Sequence, residues 1–154
     1  MAITDVPAVS SLPLDLVELR HKRRESALTQ LVAAAEAAGI VRDADILLAS
    51  LLRAQRVGST AVGKGLAVPH ARSFAVKRPV MLLGRSPRGV DWGAQDDVPV
   101  QIVALVLSPA ATPVAMHVER VAGALHTRRL QRTRQRLLDV DAAGAVALLR
   151  GGAA

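Results

Sequence analysis

Apolar positions along the chain change their spacing several times, and each change marks an element. Within 22–38, Leu28, Leu31, Val32 and Ala35 recur at i, i+3, i+4 and i+7, one face of an amphipathic helix. Gly39 follows at the place where a glycine closes a helix. Asp43 offers a side-chain oxygen to the free N–H groups of a second helix. That helix carries Ile46, Leu47 and Leu51, widened by Leu48 and Leu52, and stops near Val57 before Gly58. Val80 to Leu83 reads as a strand. Val100 to Leu107 is a nearly unbroken apolar run, as in a strand covered on both faces. Between these two, residues 84–99 hold three Gly, two Pro and three Asp, which predicts turns. Helical spacing returns with Val114, Val118, Val121 and Leu125, and residues 127–138 continue it with a basic face. Asp141 caps a last helix through Leu149. In front, Pro7, Pro13 and scattered Ser make 1–11 an extended lead-in, with a short strand around Leu14 to Val17, and 12–150 one domain. Strands interleaved with helices predict an α/β layered fold.

Composition narrows the function classes. Apolar residues are 51% of 154, enough for a core and against a disordered chain. Without cysteine there is no disulfide and no thiolate metal site. No stretch reaches the ~20 apolar residues of a membrane helix, and the first ten residues lack a secretory pattern. The expectation is a cytoplasmic protein without membrane insertion. The net charge is +7, carried by 17 Arg and three Lys in an Ala-rich chain, the bias a GC-rich genome produces by itself. Phe74 and Trp92 are the sole aromatic residues, which speaks against stacking on single-stranded nucleic acid.

Residues 58–73, GSTAVGKGLAVPHARS, have no helical period and read as a structured loop with a short strand. Gly63 and Gly65 permit backbone angles closed to other residues, and such a turn can aim N–H groups at an anion. Ser59 and Thr60 add hydroxyls. Pro69 fixes its own φ and extends Val68, so His70 projects from a stiff backbone. By residue type alone, a surface histidine beside some glycines is the simpler explanation of this segment.

The same stretch resembles the signature of the fructose, mannitol and nitrogen-regulatory EIIA family: Gly58, Ser59, Thr60, Gly63, Gly65, Leu66-Ala67-Val68, Pro69, His70 and Arg72 match in order and spacing. The likeness extends to the two helices between Lys22 and Gln55, to Gly89-Val90-Asp91-Trp92, to Pro99-Val100, and to Pro109 and His117. It covers roughly 12–150. It implies a three-layer α/β sandwich with a mixed central sheet flanked by helices. It also implies His70 as the phosphorylated residue, His117 as the second histidine beside it, and Ser59, Thr60, Gly63 and Gly65 at the phosphate. No cofactor and no metal are implied. The partners would be HPr or its nitrogen-branch relative as donor, then EIIB or a regulated target protein. A freestanding domain favours the nitrogen-regulatory branch. One departure stands out: the family's Arg-Glu before Gly-Ser-Thr aligns with Ala54-Gln55. A rival reading follows from it, an EIIA-like binding module defective in phosphorylation. That module would use the helix carrying Arg128, Arg129, Arg132, Arg134 and Arg136.

Overall fold

The computed structural model describes residues 14–57, 60–125 and 134–149. The lead-in 1–11, Ser59, His126 and the arginines at 128, 129 and 132 lie outside the described residues. In chain order the elements are β1 (Leu14–Glu18), α1 (Arg24–Ala37), α2 (Ala44–Val57), β2 (Ala61–Gly63), β3 (Leu66–Ala67), β4 (His70–Ser73), β5 (Val80–Val90), β6 (Val100–Pro109), α3 (Val114–Leu125), α4 (Arg134–Asp139) and α5 (Ala142–Leu149).

The six strands form one mixed sheet in the order β1-β5-β6-β3-β2, with β4 also on β6. Strand β6 is its axis, antiparallel to β5 and parallel to β3 and β4. Because side chains alternate across a strand, β6 feeds two cores. Val103, Leu105 and Leu107 join Val80 and Leu82 against Leu28 and Leu31 of α1 and Leu47 and Leu51 of α2. Ile102, Ala104 and Val106 join Met81 and Leu83 against Val121 and Ala124 of α3, Leu137 of α4 and Ala145 and Leu148 of α5. Helices on both faces explain the unbroken apolar run and make the fold the expected three-layer α/β sandwich with a mixed sheet.

The two leading helices form where expected. Gly39 has φ +75°, and the Ile40 N–H closes α1 on the Ala35 carbonyl at 2.9 Å. The Ile46 N–H donates to Asp43 Oδ1 at 3.1 Å, capping α2. Asp141 caps α5 through the Gly144 N–H at 2.8 Å.

Two expectations need correction. The strand starting at Val80 does not stop at Leu83: it runs to Val90, with a register shift between Arg85 and Val90. Gly84 belongs to this strand because a Cβ there would meet Leu19 Cδ1 at 3.0 Å. Turns begin only after Val90, where Gly93 and Asp97 take positive φ. Segment 58–73 likewise holds three short strands where one was expected.

Arg85 is buried within β5. Its Nη1 donates to the Leu137 and Val140 carbonyls at 2.8 and 2.6 Å, and its Nε donates to Glu18 at 2.6 Å. One guanidinium thus joins β1, β5 and the C-terminal helices.

Candidate functional site

Strands β3 and β4 lie end to end along β6, Leu66 opposite Ile102 and His70 opposite Val106. Pro69 separates them, since proline lacks the N–H a ladder needs. Its carbonyl still accepts from the Val106 N–H at 3.0 Å. His70 therefore opens β4 from a fixed position. His117 lies in the first turn of α3, its N–H on the Pro113 carbonyl at 3.1 Å. Because α3 lies against both β4 and β6, two histidines 47 residues apart come together.

Their ring centroids are 5.4 Å apart, with planes inclined at 51°. His117 Nε2 faces His70 Nδ1 at 3.3 Å, and His117 Nδ1 faces Ser108 Oγ at 2.8 Å. Behind them, Arg120 Nη1 donates to Ser108 Oγ at 3.2 Å and Nη2 to Met116 Sδ at 3.3 Å. Arg120 is 8% exposed, and its Nε is buried without a hydrogen-bond partner. Among the described residues no carboxylate lies within ion-pair distance of it. Arg72, on the same side of β4 as His70, is anchored by its Nε on the Thr112 carbonyl at 2.7 Å.

Both histidines are held neutral. Burial depresses the His70 pKa although the residue itself stays exposed on the surface. His117 is pushed down to about 4, first by burial and then by the charges of His70, Arg120 and Arg72. Each ring thus keeps one N–H and one lone pair at neutral pH. With its Nδ1 engaged by His117, His70 has Nε2 left for chemistry.

The other expected site residues are placed differently. The Thr60 hydroxyl accepts from Gln55 Nε2 and, at 3.2 Å, from Trp92 Nε1. Its carbonyl takes the Val68 N–H at 3.0 Å, which keeps it near the start of β4. Gly63 and Gly65 have φ of +88° and +81° and turn β2 into β3. This turn is not gathered with His70. Gly65 lies beside Gln101 and Ile102, four residues before Val106 on β6, roughly 13 Å along the strand. The Lys64 N–H there already donates to Asp96 Oδ2 at 2.8 Å. The expected anion cradle is a hairpin turn occupied by its own carboxylate. At the departure from the family pattern, Ala54 is exposed while Gln55 is buried and holds Thr60. Arg53 and Arg56 are exposed, and the arginines whose charge reaches His117 are Arg120 and Arg72.

Sequence reading missed Ser108 and Arg120. Ser108 hides at the end of an apolar run. Arg120 carried one usable signal, its position one helical turn after His117 on the same face.

Three clefts of about 300 to 470 Å³ open around Trp92, Arg88 and Arg24, and neither His70 nor His117 lines them. The histidine pair, one ring buried and one exposed, thus lies apart from these clefts. Residues 11–139 match the model of the phosphoenolpyruvate-dependent sugar phosphotransferase system EIIA 2 family, and the chain belongs to it. It is 36% identical to the fructose-specific EIIA component of Haloferax volcanii over 111 residues, 72% of each chain. It is 33% identical to a nitrogen regulatory protein of Bradyrhizobium diazoefficiens over 93% of this chain and 84% of that one. It also matches the fructose-specific EIIABC component of Bacillus subtilis at 27% identity, spanning 22% of that longer protein. Among solved structures, nitrogen regulatory protein IIA-Ntr from Neisseria meningitidis superposes with a TM-score of 0.75 at 20% identity, over 92% and 94% of the two chains. This chain is accordingly a phosphotransferase-system EIIA phosphoryl carrier of sugar transport or nitrogen regulation. Among the described residues no helix is long and apolar enough to cross a membrane.

Proposed function

We propose that His70 Nε2 accepts the phosphoryl group from a histidine-phosphorylated carrier, HPr or its nitrogen-branch relative, and passes it on. His117 lies behind His70 as the positioning histidine. The observation that carries this reading is the 3.3 Å contact between the two rings, with Nε2 of the exposed ring left over. The transfer is an in-line displacement: the Nε2–P bond forms as the donor ring's N–P bond breaks, the donor nitrogen keeps the electron pair, and the proton that the His70 ring gives up from Nδ1 balances the one the donor ring takes up to leave as neutral imidazole. Such transfer is mostly positioning and electrostatic stabilisation. Arg72, two residues on from His70, and the Thr60 hydroxyl, tied by its carbonyl to Val68 beside β4, are the groups this reading assigns to the latter. A protein donor suits the apolar side chains that α3 exposes around His117: Val114, Met116 and Val118.

For the destination of the phosphoryl group, the nitrogen-regulatory role is the reading retained, supported by the 93% span shared with the Bradyrhizobium protein. Delivery to an EIIB domain in fructose uptake is the second, supported by the higher identity to the Haloferax component. The phosphorylation-defective alternative draws on arginines that, apart from the backbone of Arg134 and the exposed Arg136, lie outside the described residues.

The test is incubation with phosphoenolpyruvate, enzyme I and HPr or its nitrogen-branch relative, followed by intact-mass measurement. A gain of one acid-labile phosphoryl group that His70→Ala abolishes is expected. No gain, while an authentic family member is labelled in the same mixture, would remove the carrier reading.

A further inference from the structure

We propose that Arg120 and Ser108 form, with His117, a one-way donor chain that keeps the loaded His70 ring unprotonated and so sets how long it holds its phosphoryl group. The inference rests on His70 being the carrier. Its starting point is the head of the chain. A guanidinium can only donate, so Ser108 Oγ accepts from Arg120 at 3.2 Å. Ser108 is 0% exposed, and its buried hydroxyl proton needs an acceptor of its own. The other partner of this oxygen is His117 Nδ1 at 2.8 Å. Nδ1 therefore accepts, and a neutral His117 carries its proton on Nε2. That N–H points at His70 Nδ1, 3.3 Å away, which must offer a lone pair. The substituent of the His70 ring then sits on Nε2, and a phosphoryl group fits there without disturbing any bond of the chain.

The reversed polarity has His70 Nδ1–H donating inwards. It frees the Nε2 lone pair for attack but leaves the buried Ser108 proton without its acceptor, which is costly. The chain thus favours the holding form over the attacking form. Arg120 has no carboxylate partner among the described residues. Its charge adds to the bias, since protonating either ring would put a second cation beside it. The titratable and charged groups facing His117 are His70 and Arg72 from β4 and Arg120 from α3; β6 contributes only the Ser108 hydroxyl.

Loss of the group to water follows from ring protonation. The water oxygen bonds to phosphorus, the P–Nε2 bond breaks, and Nε2 keeps the electron pair. With Nδ1 protonated the ring departs as neutral imidazole. With Nδ1 bare it must depart as imidazolate, a far poorer leaving group. A chain that opposes Nδ1 protonation slows this loss.

The experiment loads His70 with potassium phosphoramidate, which needs no partner protein, and follows the phosphoryl half-life between pH 5.5 and 8. Arg120→Met and Ser108→Ala should lose the group about tenfold faster near pH 6.5, the effect of a one-unit rise in ring pKa. Arg120→Lys should stay closer to the parent. Folded variants with half-lives within about twofold of the parent would overturn the proposal. A second readout needs no variant: nitrogen-15 NMR of the phosphorylated protein should show His117 protonated on Nε2 and His70 Nδ1 bare at pH 6.5, and the opposite pattern would overturn it. Loading by phosphoramidate but never by a protein donor would fail the carrier reading alone, whereas no loading by either fails both.

Discussion

Residue scale sets the acid limit of this protein. His117 is pushed down to about 4 by burial and by neighbouring positive charge. The unfolded chain, in which an ordinary histidine titrates near pH 6.5, therefore takes up a proton before the folded protein does. The contribution of His117 to stability is complete above about pH 6.5 and is lost as the pH drops toward 4. The loss amounts to at most ~3 kcal/mol from this residue. His117→Gln keeps a polar group at the site and removes the titration. In urea unfolding at pH 7 and pH 5, the parent should lose clearly more stability between the two than the variant. Equal losses would assign acid sensitivity to other groups. His70, also depressed by burial, adds a contribution of the same sign in the variant, so the difference between the two proteins is the quantity to read.

At the level of elements, what could be read from the chain was whatever a single element decides by itself. Helices α1 and α2 carry complete apolar stripes, and Gly39 and Asp43 terminate and start them by local chemistry. Asp43→Ala should cost about 1 kcal/mol, measured by thermal unfolding, with the loss reflected in faster amide exchange at Leu47 and its neighbours in the first turn. Strand β5 is the opposite case. Its second half passes through a register shift against β6 and rejoins it at Val90, and nothing in Gly84-Arg85-Ser86 announces a strand, because Arg85 finds its partners in β1 and near helices more than 50 residues away. The glycines at 63 and 65 mislead for a related reason: positive φ serves a hairpin turn as well as an anion cradle, and the carboxylate of Asp96 decides between them.

For the molecule as a whole, two polar ties that sequence does not reveal join the sheet to the same helical layer, Arg85 to the C-terminal helices and Ser108 to Arg120 of α3. His70 stood out only through the family likeness of its whole segment, since Pro-His with flanking glycines fits a surface histidine as readily. His117 was legible only through a family likeness, because β4, β6 and α3 must assemble before the two rings meet. Ser108 was illegible, concealed in an apolar run, and Arg120 showed only its place one turn after His117. Arg85→Met tests the other joint. It strips the Leu137 and Val140 carbonyls of their donor, so a loss of about 2–3 kcal/mol is expected. Hydrogen exchange should rise across α4 and α5 while His70 still accepts phosphate, and a variant as stable as the parent would show that the helices hold without this tie.

The open position of His70, outside the three clefts and with no cover over it among the described residues, has a consequence in time. An enzyme that shelters an unstable intermediate controls its fate by opening and closing. His70 is exposed, so on the proposed role of that residue shelter by the described residues would not act as the clock. On the proposed donor chain, the interval between loading and loss would then be set by the electronic state of one ring, and the protein would keep time through the proton it withholds from that ring.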